Sequence, residues 1–170
     1  KIGVVLFSNE VELYIPPKKG RSHVLRIIRE LLEFKPKNKL TDLGEALKFL
    51  SNVMKKKAIV FVLSDFIDDD YQQNLKIASG KHDITGIRVF DKNESKIPNL
   101  GVVQMLDQES GISTLVNTSS RKIRHQYAEE YRSRVEYFKE SFKKAGAGML
   151  ECRLDDSYVK KLLGYFKQRA

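Results

Sequence analysis

The apolar run Ala58–Leu63 constrains the fold of this 170-residue chain most strongly, because no polar residue interrupts it before Ser64-Asp65. A strand exposed on one face alternates apolar and polar residues, whereas a strand covered on both faces reads as a continuous apolar run. We therefore expect this segment to be the centre of a parallel sheet. Such sheets bind ligands beyond the carboxyl ends of their strands, which is where Asp65 stands.

Strands and helices alternate along the chain, as in an α/β fold. Two strands at the start, Ile2–Phe7 and Val11–Ile15, predict an antiparallel hairpin that ends at Pro16-Pro17. A helix capped by Ser22 is expected next, with one apolar face packed on the core. That face consists of Val24, Leu25, Ile28, Leu31 and Leu32.

The second half of the chain continues the alternation. It predicts a strand over Ile84–Phe90, a β-hairpin added to the edge of the sheet, a long helix from Thr118 to Ala145, a short strand at Met149–Cys152 and a final helix. Spacings of three and four residues predict one buried apolar stripe along the long helix, formed by Ile123, Tyr127, Tyr131, Val135, Phe138 and Phe142. The hairpin strands are Val102–Leu106 and Ile112–Val116, joined by Asp107–Gly111. The order as a whole predicts a three-layer α/β domain over residues 1–170, with a mostly parallel sheet and an antiparallel edge hairpin.

Composition gives only a broad indication of the function. Lysine and arginine number 31 against 22 acidic residues, a formal charge of +9, which favours nucleic acid, anionic lipid or an acidic protein surface as a partner. The single cysteine, Cys152, excludes an intrachain disulfide and is typical of a reducing compartment. No apolar run is long enough to cross a bilayer, so we expect a cytoplasmic domain without membrane contact from this segment.

Thr41 and Asp65 are the candidate ligand residues. A hydroxyl and a carboxylate beside strand ends are hard oxygen donors, which suit a divalent cation. Thr41 has an alternative explanation as the N-cap of a helix beginning at Asp42. Asp65 follows a buried strand directly, so its charge requires a partner, a metal ion or a solvent-filled cleft.

The order of short motifs resembles von Willebrand factor A domains. More narrowly, it resembles the bacterial A-domain family of unknown function that accompanies MoxR-type AAA+ ATPases. The resemblance covers nearly the whole chain, through motifs that are weak alone but fairly specific in order and spacing. These motifs are Gly3–Ser8, Ile15–Ser22, Thr41–Leu43, Ser64–Phe66, and Asp155–Tyr158 with Leu162-Leu163.

The resemblance implies a metal-ion-dependent adhesion site. Thr41 would be the threonine ligand from the second loop and Asp65 the aspartate of the third, together holding Mg²⁺ or Mn²⁺. A carboxylate of a partner protein would complete the coordination. The implied partner is a MoxR-type ATPase or its client, and the implied role is protein assembly or maturation without catalysis.

One part of the family pattern is missing. Such sites take their first ligands from an Asp-x-Ser-x-Ser segment after an initial central strand, and that strand would precede Lys1. We therefore expect residues 1–170 to be the C-terminal portion of the domain and to hold Mg²⁺ weakly or not at all. The hairpin of residues 2–15 would lack its normal neighbour, so a strand-swapped homo-oligomer is a further expectation.

Two other functions are weaker alternatives. Ser64 beside Asp65 is compatible with a hydrolase, but no nucleophile-elbow pattern surrounds Ser64. A catalytic triad also needs a histidine base, and the histidines, His23, His82 and His125, lie elsewhere in the sequence. The basic long helix admits nucleic-acid binding, but acidic residues interrupt its basic positions. The run Asp68–Asp70 is interpreted as the solvated start of a helix rather than a second metal site.

Overall fold

The computed structural model describes residues 1–38, 40–106 and 111–169, which fold into seven strands and five α-helices. In chain order these are β1 (Ile2–Phe7), β2 (Val11–Lys18), α1 (Arg21–Glu33), α2 (Leu43–Val53), β3 (Ile59–Ser64), α3 (Gln72–Lys81), β4 (Asp83–Phe90), β5 (Val102–Leu106), β6 (Ser113–Asn117), α4 (Arg121–Lys144), β7 (Gly148–Arg153) and α5 (Tyr158–Arg169). A 3₁₀ turn, Lys92–Ser95, follows β4. The predicted mixture of parallel strands, antiparallel hairpins and helices is confirmed.

The parallel sheet has three strands in the order β3–β4–β7, so β4 and not β3 is its central strand. The prediction that β3 lies at the centre is wrong. Within the described residues its outer edge has no strand partner, and only alternate side chains reach the core. Val62 is buried, whereas Ile59 and Leu63 are 70% and 64% exposed.

The main core fills one face of this sheet, between β3–β4 and the helices α2, α3 and α4. Gly86 lets α4 approach β4 closely, since a Cβ atom there would lie 2.5 Å from the ring of Phe142. The predicted apolar stripe of the long helix is confirmed by the full burial of Phe138 and Phe142. The core residues are Leu43, Leu47, Val62, Phe66, Tyr71, Leu75, Ala78, Ile84, Phe138 and Phe142.

Helix α5 packs on the opposite face of the sheet. Phe166 meets Phe61 edge to face at 5.9 Å between ring centroids. At the amino end of β4, Arg169 donates to Asp83 at 2.7 Å. The sheet therefore has helices on both faces, as expected.

Helix α1 differs from the prediction at both its start and its face. Its N-cap is Gly20 rather than Ser22, with φ of 112°. Of its residues only Ile27 is buried, while Leu25 and Leu32 of the predicted core face are 53% and 81% exposed. The prediction that this apolar face packs on the core is therefore wrong, because within the described residues no element covers it.

Both hairpins form two-stranded sheets of their own among the described residues. In the first, β2 continues through Pro16-Pro17 to Lys18, beside an irregularity in its pairing with β1. Proline is tolerated there because an edge strand needs no outward N–H donor. The second hairpin, β5–β6, is confirmed, but it does not extend the parallel sheet as predicted. Residues 107–110 of its predicted turn lie outside the described residues.

Candidate functional site

The loop after β3 is held by its own side chains and by the core. Ser64 Oγ accepts from the backbone N–H of Phe66 at 3.0 Å, and Asp65 Oδ1 accepts from that of Ile67 at 3.2 Å. Phe66 is 1% exposed in the core although its φ is 57°. A bulky residue adopts a left-handed conformation only where its surroundings impose it. The exposed Asp65 carboxylate therefore stands on an anchored turn.

The start of α2 shows which residue caps the helix. Asp42, not Thr41, is the N-cap, and its Oδ1 accepts from the N–H of Glu45 at 2.8 Å. The alternative explanation of Thr41 as a cap is therefore wrong by one residue. The hydroxyl of the half-buried Thr41 is not used for capping, so it remains available as a donor or a ligand.

Asp68 joins the loop after β3 to the start of α2, which sequence reasoning missed. Its Oδ2 accepts from the N–H of Leu43 at 2.6 Å, and its Oδ1 accepts from the N–H of Asp69 at 2.8 Å. Burial raises the pKa of the Asp68 carboxyl, against the opposing effect of these two hydrogen bonds. The interpretation of this residue as a solvated helix start is wrong, because α3 begins only at Gln72. Asp68 is the first residue of the run Asp68–Asp70, and nothing in this run signals a contact with the start of α2.

The turn after β1 completes the arrangement. The Ser8 carbonyl accepts from the N–H of Asp42 at 2.9 Å, and Ser8 itself is 5% exposed. Three loops therefore meet through backbone and carboxylate hydrogen bonds, and we call residues 8–10, 41–42 and 65–70 the loop cluster. The loops of Thr41 and Asp65 are thus in contact through Leu43 and Asp68.

The loop cluster is acidic on a chain of net charge +9. In the first turns of α2, Lys48 pairs with Glu45 at 2.8 Å, and Glu45 lies outside the loop cluster. Among the described residues no Lys, Arg or His forms an ion pair with Asp65, Asp68 or Asp69. This negative surface favours a cation or a basic group as its ligand.

Thr41 and Asp65 provide fewer oxygen donors than Mg²⁺ requires. Octahedral coordination takes about six oxygens, some of them from water. The described residues contain no group of three or more His, Cys, Asp or Glu side chains placed to hold a metal. Thr41 and Asp65 supply two oxygen types that suit the ion, but two ligands do not make a strong site. Their assignment as metal ligands stays a prediction.

The histidines lie away from Ser64. His82 stands at the amino end of β4, beside Ala58, so the length of β3 separates it from Ser64, roughly 20 Å at the usual rise per residue. His23 bonds to the carbonyl of Ile2, and His125 faces Glu129 on α4. These positions give the hydrolase alternative no geometric support.

Two basic residues of α4 pair with acidic neighbours on the same helix. Glu129 pairs with Arg132, and Glu140 pairs with Lys144 at 2.9 Å. Pairs three or four residues apart neutralise one another on the helix surface. This mixed face does not favour a phosphate backbone as a ligand.

The fold and loop cluster define the class: a mixed α/β domain with polar loops beyond the carboxyl end of an outer strand. A family model described as "Protein of unknown function DUF58" matches residues 1–137. The chain belongs to this family.

Two mycobacterial proteins are similar in sequence to this chain. The uncharacterized protein MAV169 of Mycobacterium avium is 22% identical over 158 residues, 91% of this chain and 93% of the relative. The uncharacterized protein Rv1480 of Mycobacterium tuberculosis is 20% identical over 172 residues, 99% of this chain and 54% of the relative. The chain thus spans about half the length of Rv1480.

A solved structure shares the fold. The conserved hypothetical protein BatB from Bacteroides thetaiotaomicron superposes with a TM-score of 0.55 at 13% identity, over 98% of this chain and 77% of that one. In addition, no helix among the described residues has the length and apolarity needed to cross a membrane.

Proposed function

We propose that this chain is part of a non-enzymatic, cytoplasmic protein-interaction module with a von Willebrand factor A-like fold. The observation that carries the proposal is the joining of three loops at the loop cluster, by Asp42 to Ser8 and by Leu43 to Asp68. Fixed loops beyond a strand end form a preorganised surface for a partner. The acidic character of the cluster supports a ligand that includes a cation.

In the intact parent protein, the cation would be Mg²⁺ or Mn²⁺. Thr41 and Asp65 would hold it together with oxygen ligands from outside residues 1–170. Oxygen donors of these two types support a hard cation that keeps an open coordination position. A carboxylate of the partner protein would occupy that position.

An additional strand would complete the sheet between β1 and β3. Both strands have an open edge within the described residues, and β3 exposes Ile59 and Leu63 beside its open edge. A strand paired with both edges would bring the β1–β2 hairpin into the parallel sheet. It would also supply the turn from which further ligands could reach Thr41 and Asp65.

The partner we propose is a MoxR-type AAA+ ATPase or its client protein, in a process of assembly or maturation. This part of the proposal rests on the resemblance of the motifs described above. The alternative partner, nucleic acid, draws support only from the net charge of +9. It predicts a steep loss of affinity for an oligonucleotide as salt increases.

Magnesium titration of the full-length parent protein tests the proposal. Capture of a purified MoxR-type ATPase is followed as Mg²⁺ is added to the parent and to its Asp65→Ala variant. We expect capture to rise with Mg²⁺ in the parent, and to fall at least tenfold in affinity in the variant because the cation loses its carboxylate ligand.

Asp69→Ala is the matched control, because it removes the same charge from the same loop. Asp69 is exposed, and its contact within the loop is made by its backbone N–H rather than its carboxylate. It should bind like the parent. Equal capture by the parent and Asp65→Ala at every Mg²⁺ concentration contradicts the proposal.

A further inference from the structure

A cavity of about 460 Å³ lies between the β5–β6 hairpin and α4, away from the loop cluster. Its α4 side is formed by Ile123, Gln126, Tyr127 and Glu130. Its other side includes four consecutive residues of β6, Thr114 to Asn117. Successive strand side chains point to opposite faces, so a cavity that touches four in a row borders the backbone edge of the strand.

The pairing of β6 shows which backbone groups point to this edge. Thr118 N–H donates to the Gly101 carbonyl at 2.8 Å, which makes these two residues a hydrogen-bonded pair of the antiparallel ladder. Hydrogen-bonded and non-hydrogen-bonded pairs alternate along the ladder. Val116 and Thr114 therefore also direct their N–H and C=O groups to β5. Leu115, between them, directs its N–H and C=O away from β5. No strand of the described residues pairs with that side of β6.

The hairpin base is held rigidly in place. Thr118 is fully buried, and its hydroxyl donates to the Gly101 carbonyl at 2.7 Å while accepting from the Leu100 N–H at 2.9 Å. Arg124 of α4 donates to the Thr118 carbonyl at 2.6 Å. The edge of β6 is therefore preorganised over the cavity, which lowers the entropic cost of adding a strand.

The cavity lining indicates the chemistry of its occupant. Apolar side chains such as Met105 and Val116 dominate it, and Glu130 is the one charged residue among those that line it. Glu130 Oε1 accepts from Gln126 at 3.1 Å, but no cationic side chain of the described residues forms an ion pair with it. An occupant with alternate apolar side chains and one Lys or Arg complements this lining.

We propose that β6 binds an extended peptide segment of a partner protein by β-strand addition. The backbone of the segment pairs with Leu115, its alternate apolar side chains enter the cavity over Tyr127, and a basic side chain reaches Glu130. This is the recognition mode in which main-chain bonds supply affinity and alternate pockets supply specificity. The site is independent of the loop cluster and of any metal ion.

A fluorescein-labelled peptide, Ser-Thr-Val-Thr-Val-Thr-Leu-Thr-Lys-Ser, tests the proposal by fluorescence anisotropy with the full chain. Leu115→Pro removes the outward N–H without removing a bond to β5, and we expect it to weaken binding about tenfold, the effect of one or two hydrogen bonds. Gln104→Pro is the matched control, since Gln104 is the partner of Leu115 on β5 and the same substitution removes an N–H from the opposite edge of the hairpin. It should bind within about threefold of the parent chain.

Two further measurements keep the test independent of the folding of the proline variant. A peptide N-methylated at alternate residues cannot pair with a strand and should lose binding to the unaltered chain. Glu130→Gln should weaken the lysine peptide but not a peptide with Gln in its place.

Three outcomes of the peptide-binding measurements overturn the proposal. These are no binding by the lysine peptide, equal binding by the N-methylated peptide, or equal binding by Leu115→Pro. A concentration-dependent dimer that Leu115→Pro abolishes, without peptide binding, assigns the edge to a second copy of the chain and also overturns it.

Discussion

At the scale of single residues, one carboxylate joins two loops of the candidate site. Asp68 accepts from the backbone of Leu43 and so holds the start of α2 against the loop after β3. The free N–H groups at a helix start need acceptors, and a side chain from another loop can supply one as well as a local cap can. The local cap, Asp42, and the distant carboxylate of Asp68 therefore share this task at the same helix start.

Asp68→Ala should lower the free energy of unfolding by about 1–2 kcal/mol, because a partly buried N–H loses its acceptor. Asp68→Asn keeps an acceptor oxygen and should lose less. Urea unfolding followed by circular dichroism measures both. Asp69→Ala, an exposed neighbour, should stay within about 0.5 kcal/mol of the parent chain. A loss in Asp69→Ala as large as that in Asp68→Ala would contradict the role given to Asp68.

The buried histidine makes stability depend on pH. His82 is 3% exposed, and neither ring nitrogen has a hydrogen-bond partner among the described residues. Burial, together with the charge of Lys81, lowers the pKa of the His82 imidazole below its ordinary 6.5. The unfolded chain therefore binds a proton at a higher pH than the folded chain does. The neutral His82 ring therefore contributes to the free energy of unfolding above about pH 6.5, and this contribution is lost as the pH falls through the pKa of His82 in the folded chain.

His82→Phe should remove this contribution, since the ring no longer titrates. The urea concentration at the unfolding midpoint should decrease more between pH 7.5 and pH 5.0 in the unaltered chain than in the variant. His125→Phe is the control, because that ring lies on the exposed face of α4. Parallel midpoints for the parent chain and His82→Phe would show that protonation of His82 does not oppose folding.

At the scale of elements, the distance between β4 and α4 is set by Gly86. Its missing side chain leaves room for Phe142 and Phe138, which pack on each other with centroids 4.8 Å apart. A strand glycine is usually a weakness, but here a larger residue would displace a helix.

Gly86→Ala should destabilise the fold by about 1–3 kcal/mol through overpacking. Gly80→Ala is the matched control, because a Cβ atom at Gly80 meets nothing within 4 Å. It should stabilise α3 by about 0.5–1 kcal/mol. Thermal unfolding of the two variants distinguishes them, and a neutral Gly86→Ala would contradict the close approach.

Local sequence patterns predicted the helices and strands better than they predicted which elements pack against one another. The four-residue spacing of aromatic residues predicted the buried stripe of α4 because each turn of a helix repeats one contact. The apolar stripe of α1 and the run of β3 predicted covered faces, but no described element covers the α1 stripe and only alternate side chains of β3 reach the core. Whether a face is covered depends on distant segments, which a local pattern does not contain. The cap at Asp42 was misplaced by one residue, since Thr and Asp both cap helices well. The Asp68 contact depends on a loop conformation that no propensity specifies.

At the scale of the whole molecule, the described residues leave one apolar strand edge exposed. β3 carries no charge and no proline, and its outer edge is unpaired in the described part of the chain. Natural edge strands are normally protected by charges or bulges. An unprotected edge of this kind is a template for pairing with another strand.

The chain expressed alone should therefore associate as its concentration increases. Leu63→Lys places a charge on the edge strand and should shift the population towards monomer in light scattering after size exclusion. Leu154→Lys makes the same substitution at a residue of similar exposure, 67% against 64%, outside any strand. It should leave the association unchanged. If the unaltered chain is strictly monomeric at every concentration, the proposal that an added strand pairs with β3 is contradicted.

The bond from Arg169 to Asp83 closes a ring of the chain across 86 residues. Contacts between such distant residues form late, because the entropy of loop closure must be overcome before they contribute. The contact between Arg169 and Asp83 should thus form after β4 has paired with β3, its nearer neighbour along the chain. Helix α5 would therefore dock on a sheet that has already begun to assemble.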